Sequence, residues 1–296
     1  MIPRVAILLA GFKGHKHLYE QVLSLLNQKG VSVDIFIRVD GESLIFTNMV
    51  IQLASDYNNI HYIKGDVISS SGMNFYKLIS GMKDTTFDYY SLCDQDDIWE
   101  ESKLQRAHQC LKDNSVSGYS SGFTTFISTG HKKRYFNGQQ TKFDHFFQSS
   151  GPGCTFVFDN KGFNFLKSYL AQEKELLEIL AHDWLIYFIF RINSLGWHID
   201  TDSHLLYRQH DSNVAGVNSG LNAKLKRAKL LFNGWYVSDL VKLHMFAISK
   251  GFYKNFINPF ELRRSKIQSL FIFCYYVIFI KTLLKTQKNK ARNEKY

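Results

Sequence analysis

Three carboxylates lie within the four-residue segment "DQDD", at Asp94, Asp96 and Asp97, directly after the apolar run "YYSLC". Like charges at this spacing raise one another's pKa unless a cation or solvent offsets them. Mg²⁺ and Mn²⁺ prefer oxygen ligands, and proteins commonly hold them with one or two carboxylates and the phosphates of a substrate. The spacing therefore indicates a divalent-metal site. The competing interpretations are an aspartyl nucleophile and an acidic loop before a helix that is capped at Ser102.

Other candidate residues also follow apolar runs. The run "RVAILLA" ends at Gly11, and "VSVDIFIRVDG" ends at Asp40, and a segment with helical periodicity comes after each run. Alternating strands and helices predict a mostly parallel sheet covered by helices on both faces. Ligands bind such sheets beyond the carboxyl ends of the strands. We therefore expect Gly11, Asp40 and the DQDD segment to converge on one crevice.

The chain divides by composition near residue 216. Residues 1–216 contain no repeat or low-complexity linker, so we predict one α/β domain. Residues 217–296 include a basic amphipathic segment, "LNAKLKRAKLLFNGW", and an apolar run from Leu270 to Ile280. That run is shorter than the roughly 20 residues of a spanning helix, which favours an interfacial helix on anionic lipid. A buried core helix or an oligomer contact is the alternative interpretation.

Charge and cysteine content narrow the function classes. The formal net charge of +10 indicates an anionic partner, but the basic runs contain no recognisable nucleic-acid reader motif, so nucleic acid is not expected. Cys93, Cys110, Cys154 and Cys274 form no CxxC pair and lie far apart in the sequence, which suggests neither a zinc knuckle nor a disulfide framework. The amino-terminal run is too short for a secretory signal. We therefore expect a reducing cytosolic location.

Seven short motifs in order resemble inverting glycosyltransferases of family 2, especially the bacterial rhamnosyltransferase-like branch of surface-polysaccharide assembly. They are "LLAGFKGHKHLYEQVLSLLNQ", "VDGES", "GMNFYKLI", "SLCDQDDIWEESKL", "GPGCTFVFD", "AHDWLIYF" and "YRQHDSNVAG". The resemblance spans roughly Val5 to Gly216. It implies the GT-A fold, a Rossmann-like, mostly parallel sheet flanked by helices, here followed by a helical, membrane-associating extension.

The resemblance also implies how a nucleotide-sugar donor binds. Asp96 matches the ligand of a Mn²⁺ or Mg²⁺ ion that stabilises the leaving diphosphate. Asp94 is expected to face the ribose or a metal-bound water. Gly11 and Phe12 match the loop whose aromatic stacks on the base, with core packing of Phe12 as the alternative. Asp40 matches the acid that reads the imide N–H of the base. The chain departs from the family at Val39, where the first acid of the DDGS turn is expected, and at Lys13, where asparagine is usual.

The later motifs imply the acceptor side and the rest of the metal shell. Asp183 matches the general base that takes the proton of the acceptor hydroxyl, and an acid placed for the helix dipole is the alternative. His182 is a weaker candidate for the base. His210 is expected to complete the metal shell. Arg208 suits the diphosphate, with a surface salt bridge as the alternative.

The sequence as a whole predicts an inverting, metal-dependent sugar transferase at the cytoplasmic face of the plasma membrane. The expected donor is dTDP-L-rhamnose or a UDP-sugar, and the expected acceptor is a lipid-linked glycan of O-antigen, capsule or a related polysaccharide. One alternative is a nucleotidyltransferase of the same fold, of whose glycine-rich, lysine-bearing signature only Gly11, Lys13 and Gly14 are present. The other is a non-catalytic scaffold of an assembly complex.

Overall fold

The computed structural model describes residues 1–209, except 42, 69, 127–129, 131 and 137, and also residues 234–252 and 259–275. Contacts between Cα atoms divide the chain into two compact units. The first unit comprises residues 1–137 and 150–218, and the second comprises residues 138–149 and 219–296. All the described candidate site residues belong to the first unit.

The first unit is built on one mixed sheet. Its strands are β1 (Arg4–Gly11), β2 (Ser32–Val39), β3 (Ile60–Lys64), β4 (Tyr89–Cys93), β5 (Ile98–Trp99), β6 (Gly118–Phe126), β7 (Lys132–Tyr135), β8 (Val157–Asp159) and β9 (Trp197–Arg208). Its α-helices are α1 (Leu18–Leu26), α2 (Leu44–Asp56), α3 (Ser71–Gly81), α4 (Lys103–Asp113), α5 (Asn160–Gln172) and α6 (His182–Ile192). The strand order is β3-β2-β1-β4-β8-β6-β9-β5, and β7 pairs with β6.

The amino-terminal half of the sheet is parallel, as the sequence predicts. Strand β1 lies between β2 and β4 and pairs with both in parallel. Gly11 at the end of β1 is opposite Val39 at the end of β2, and Leu9 is opposite Cys93 at the end of β4. The carboxyl ends of these three strands are therefore adjacent. The predicted convergence of Gly11, Asp40 and the DQDD segment at one edge is confirmed.

Beyond β4 the sheet contains antiparallel pairs. Strand β8 pairs antiparallel with both β4 and β6, and β6 pairs in parallel with β9. The two-residue strand β5 pairs antiparallel with β9, so that Ile98 is opposite Leu206. This pairing brings the segment after the DQDD turn against the carboxyl-terminal part of β9. The sheet therefore joins the carboxylates to the strand that ends at Arg208.

Apolar side chains cover both faces of the central strand. Every residue of β1 from Val5 to Leu9 is fully buried, which explains why the run is apolar without alternation. On the antiparallel side, Trp197 packs edge-on against Phe156, which directly precedes β8, and against Phe190 of α6, with ring centroids 4.8 Å and 5.1 Å apart. The large apolar core fixes the strand ends on which the site depends.

The second unit contains α7 (Gly234–Ser249) and α8 (Lys266–Tyr275). Within this unit, the Tyr236 hydroxyl donates a hydrogen bond to the carbonyl of Phe147 at 2.8 Å. Among the described residues, no helix combines the length and the apolar character needed to cross a membrane. The predicted amphipathic segment and the expected boundary at residue 216 fall almost entirely outside the described residues.

Candidate active site

The acidic turn between β4 and β5 brings two carboxylates against a thiol. Ligand atoms of Asp94, Asp97 and Cys154 all lie within 4.8 Å of one another. Cys154 belongs to a 3₁₀ turn in the segment "GPGCT". Burial raises the pKa of the Asp94 carboxyl to about 7, and the charge of Asp96 adds to the shift. Burial, with the charges of Asp94 and Asp96, also raises the pKa of Asp97 well above its usual range.

This environment fits a hard divalent cation. The Oδ2 atom of Asp97 is buried and has no hydrogen-bond partner among the described residues, whereas its Oδ1 atom accepts the backbone N–H of Arg208 at 3.2 Å. A carboxylate oxygen left without a donor in an apolar setting is costly unless a cation compensates it. Carboxylates suit Mg²⁺ and Mn²⁺, and a thiol does not. Asp96, the predicted ligand, is part of the same turn but lies outside the close group of Asp94, Asp97 and Cys154.

A buried lysine lies beneath the turn. Lys103 has no exposed surface, and its Nζ atom lies 3.3 Å from the centroid of the Trp99 ring and 3.5 Å from Oγ of Ser91. Burial lowers the pKa of this amine to about 8, and the nearby charge of Asp97 opposes the shift. Lys103 is therefore mainly protonated at neutral pH and partly balances the carboxylates. The sequence signal for this residue is a lysine on the buried face of α4.

Arg208 connects the end of β9 to the acidic turn. Its Nε atom donates to the carbonyl of Asp96 at 2.8 Å, and its guanidinium forms an ion pair with Glu20 of α1. The guanidinium also lies over the Phe126 ring, 4.6 Å from its centroid. Arg208 thus lies next to the turn and makes the salt bridge of the alternative interpretation. His210, the other residue predicted from this motif, lies outside the described residues.

The residues predicted to bind the base lie at the ends of β1 and β2. Phe12 is 41% exposed, and the Nζ atom of Lys13 lies over its ring, 5.1 Å from the centroid. Asp40 is almost fully buried; its Oδ1 atom accepts the backbone N–H of Ile68 at 2.6 Å, and its own N–H donates to Gly11 at 2.8 Å. A Cβ atom on Gly11 would lie 2.6 Å from the Phe46 ring, which gives this glycine a packing role. The structure brings Gly11, Phe12 and Asp40 together.

Arg38 lies in the same part of the sheet and was missed in the sequence. It is 4% exposed, and its Nη1 atom donates to Oδ1 of Asn74 at 2.7 Å. Asn74 in turn donates from Nδ2 to the carbonyl of Gly11 at 3.3 Å. No carboxylate among the described residues forms an ion pair with Arg38. The sequence signal for this residue is an arginine near the end of the largely apolar strand β2.

Asp183 and His182 are the first two residues of α6. The charge of Asp183 contributes to the raised pKa of Asp94, so the two carboxylates share one electrostatic environment. The His182 ring stacks on Phe75 with centroids 4.4 Å apart, and its Nε2 atom is buried against Gly153 with no hydrogen-bond partner in the described chain. Burial lowers the pKa of His182 to about 4. His182 is therefore neutral and a poor proton acceptor at neutral pH.

The sequence is similar to that of a sugar transferase over nearly its whole length. The dTDP-rhamnosyl transferase RfbG of Shigella flexneri is 32% identical over 288 residues, which cover 92% of this chain and 100% of the relative. No family model matches the sequence. The similarity therefore rests on this relative and extends well beyond the short motifs.

Two solved structures have similar folds. S. aureus TarS 1–349 in complex with UDP-GlcNAc gives a TM-score of 0.52 at 12% identity, and the match covers 82% of this chain and 71% of TarS. The mannosyltransferase PcManGT of Pyrobaculum calidifontis, in complex with GDP-Man and Mn²⁺, gives a TM-score of 0.51 at 13% identity, and the match covers 88% of this chain and 68% of that protein. At these identities the likeness establishes the fold alone.

Proposed function

This chain belongs to the rhamnosyltransferase-like family of nucleotide-sugar glycosyltransferases with the GT-A fold, and we propose that its donor is dTDP-L-rhamnose. The observation that carries the proposal is the 32% identity to a dTDP-rhamnosyl transferase over the full length of that protein. The site supports it, because acidic groups gather at the strand ends where such folds bind ligands. Transfer extends a surface polysaccharide.

The base of the donor is proposed to bind between Phe12 and Asp40. The exposed ring of Phe12 offers a stacking face, and the Asp40 carboxylate accepts the imide N–H that thymine and uracil both carry. The N–H of Ile68 already holds one oxygen of Asp40, so the orientation of the carboxylate is fixed before the base arrives. These contacts favour a pyrimidine nucleotide and leave the choice of sugar to other residues.

The diphosphate is proposed to bind at the acidic turn. Asp96 and His210 would hold Mn²⁺ or Mg²⁺, which supplies positive charge to the leaving diphosphate, and Asp94 would face the ribose or a metal-bound water. Arg208 lies against the same turn and is proposed to bind a phosphate oxygen with its guanidinium. Asp97 accepts the backbone N–H of Arg208 through Oδ1, which keeps the turn in place, and no donor in the described part of the chain binds its buried Oδ2 atom and competes with the cation.

Asp183 is proposed to be the general base. It takes the proton of the acceptor hydroxyl while the hydroxyl oxygen attacks the anomeric carbon and the bond to the diphosphate breaks, which inverts the configuration. His182, the other candidate, is less suited to accept the proton, because burial lowers its pKa and encloses its Nε2 atom. Asp183 is therefore the better acceptor for a proton.

The acceptor is proposed to be a lipid-linked glycan at the cytoplasmic face of the plasma membrane. Residues 217–296 contain the basic amphipathic segment and much of the positive charge, which suits a peripheral contact with anionic lipid. Residues 1–216 form the proposed catalytic domain. Such an arrangement brings the transferase to an acceptor that cannot leave the bilayer.

A donor panel tests the proposed function. The purified protein is incubated with Mn²⁺ and dTDP-L-rhamnose, UDP-GlcNAc, UDP-glucose or GDP-mannose, and release of the nucleoside diphosphate is measured. We expect dTDP to be released fastest. A nucleotidyltransferase would instead release pyrophosphate from dTTP and a sugar 1-phosphate, and a scaffold would hydrolyse no donor. Either result, or preference for another donor, would overturn the proposal.

A further inference from the structure

Gln95, the second residue of the acidic segment, forms two hydrogen bonds with the backbone of Phe12 in the proposed base-binding loop. The backbone N–H of Phe12 donates to Oε1 of Gln95 at 2.6 Å, and Nε2 of Gln95 donates to the carbonyl of Phe12 at 2.8 Å. A carboxamide is suited to this, because it carries a donor and an acceptor side by side. The backbone pairing of β1 with β4 ends at Leu9 and Cys93, so the Gln95 side chain joins the two segments beyond the end of that pairing.

We propose that Gln95 is a positioning residue that attaches the loop carrying Phe12 to the acidic turn, so that the base and diphosphate sites form together. This inference rests on the proposed function of the same site. Gln95 lies between Asp94 and Asp96, and any displacement of the turn therefore moves the residue that holds Phe12. We define this pair of hydrogen bonds as the Gln95 clamp.

The loop needs such a restraint. Lys13 has a φ of 52°, in the left-handed region that non-glycine residues seldom adopt. The Phe12 ring is substantially exposed, so packing alone does not fix its orientation. Holding a loop in its binding conformation before the ligand arrives lowers the entropic cost of binding. The clamp therefore contributes to donor affinity through Phe12 rather than by touching the donor.

Gly14 is matched to the clamp. A Cβ atom at residue 14 would lie 2.3 Å from both Cδ and Oε1 of Gln95, which is closer than any van der Waals contact allows. Glycine at this position therefore leaves the space that the carboxamide occupies. Replacement of Gly14 by alanine should displace Gln95, and the effect should depend on the presence of the glutamine.

The direct test measures nucleotide affinity without metal. Wild-type protein is titrated by calorimetry with dTDP, UDP and GDP, first in EDTA and then with Mn²⁺, and the preferred nucleotide is used for the variants. We expect Gln95→Ala to weaken binding in EDTA by about five- to fiftyfold, the equivalent of two ordinary hydrogen bonds. Gln52→Ala is the control, because it removes one hydrogen bond, to Asp56, between two exposed side chains near the end of α2.

If Gln95 affects only the acidic turn and not the loop that carries Phe12, a different pattern is expected. In that case Gln95→Ala would bind nucleotide in EDTA as the wild type does and would differ only with Mn²⁺, which would overturn the proposal. Failure of the donor assignment is separate, because it appears as preference for another nucleotide by the wild type. The two failures are therefore distinguishable.

A double-mutant cycle provides the second test. Gly14→Ala should weaken nucleotide binding in the wild-type background and have little further effect in Gln95→Ala, because the obstructing carboxamide is then absent. Thermal melting of all four proteins shows whether each one folds. Additive effects of the two substitutions on affinity would contradict the clamp.

Discussion

Replacement of Asp183 by asparagine separates proton transfer from binding. Asparagine keeps the size of the side chain and an Oδ1 atom that can accept the N–H of Trp184, a bond of 2.7 Å in the structure. The fold should therefore be preserved to within about 1 kcal/mol, the value of one ordinary hydrogen bond. The amide cannot take the acceptor proton. We expect transfer to fall by about 10² to 10⁴, the usual contribution of a general base.

Donor affinity should persist in this variant. The charge of Asp183 helps to raise the pKa of Asp94, so removal of that charge favours the ionised form of Asp94, which offsets the negative charge lost near the cation. The assay measures dTDP affinity by calorimetry and turnover with an acceptor, and Asp56→Asn on the exposed end of α2 is the control. Near-normal turnover by Asp183→Asn would refute the assignment. Glu178 would then be tested next, because the Nε2 atom of His182 is enclosed.

Three further predictions concern the metal, the pH dependence and the extension. Asp96→Asn should abolish the Mn²⁺ dependence of dTDP binding while thermal melting stays normal, and unchanged dependence would exclude Asp96 as a ligand. Because burial lowers the pKa of His182 from 6.5 to about 4, its contribution to stability is complete above pH 6.5 and is lost as the pH falls toward 4. His182→Gln should remove this pH dependence, which amounts to up to about 3 kcal/mol in the free energy of unfolding measured by denaturant titration. A variant whose free energy of unfolding falls with pH as steeply as that of the wild type would contradict the prediction. Truncation after residue 216 should move the protein from membranes to the soluble fraction, and continued sedimentation with membranes would indicate another anchor.

The parallel half of the sheet could be predicted because each of its strands is visible in the local hydropathy of the sequence. β1 is apolar throughout since both of its faces are buried, and hydropathy reports this directly. β6 was missed because its buried interior includes serines, whose hydroxyls are satisfied by tertiary contacts such as that of Ser120 with the Trp197 indole at 3.1 Å. β5 has two residues and exists only because β9 provides a partner. Patterns along the chain carry no signal for strands of these kinds.

Some residues of the site could likewise be predicted from the sequence, and others could not. The acidic segment and Asp40 could be placed from the sequence because each follows a strand that hydropathy identifies. The functions of Gln95 and Arg38 could not, because their partners, Phe12 and Asn74, come from other parts of the chain. The burial of Asp97 likewise depends on Cys154 and on the backbone of Arg208, which the fold brings to the turn. Residue types in the sequence indicated an acidic ligand site, and tertiary packing determined which side chains lie together in it.

Transfer of labelled rhamnose tests the central claim most directly. The full-length protein is incubated with dTDP-L-rhamnose, Mn²⁺ and membranes that carry the lipid-linked acceptor, and the glycan product is analysed by NMR. We predict that rhamnose enters the lipid fraction and that its anomeric configuration is opposite to that in the donor. Transfer of a hexose from a UDP-sugar in place of rhamnose, or a product with retained configuration, would contradict the account.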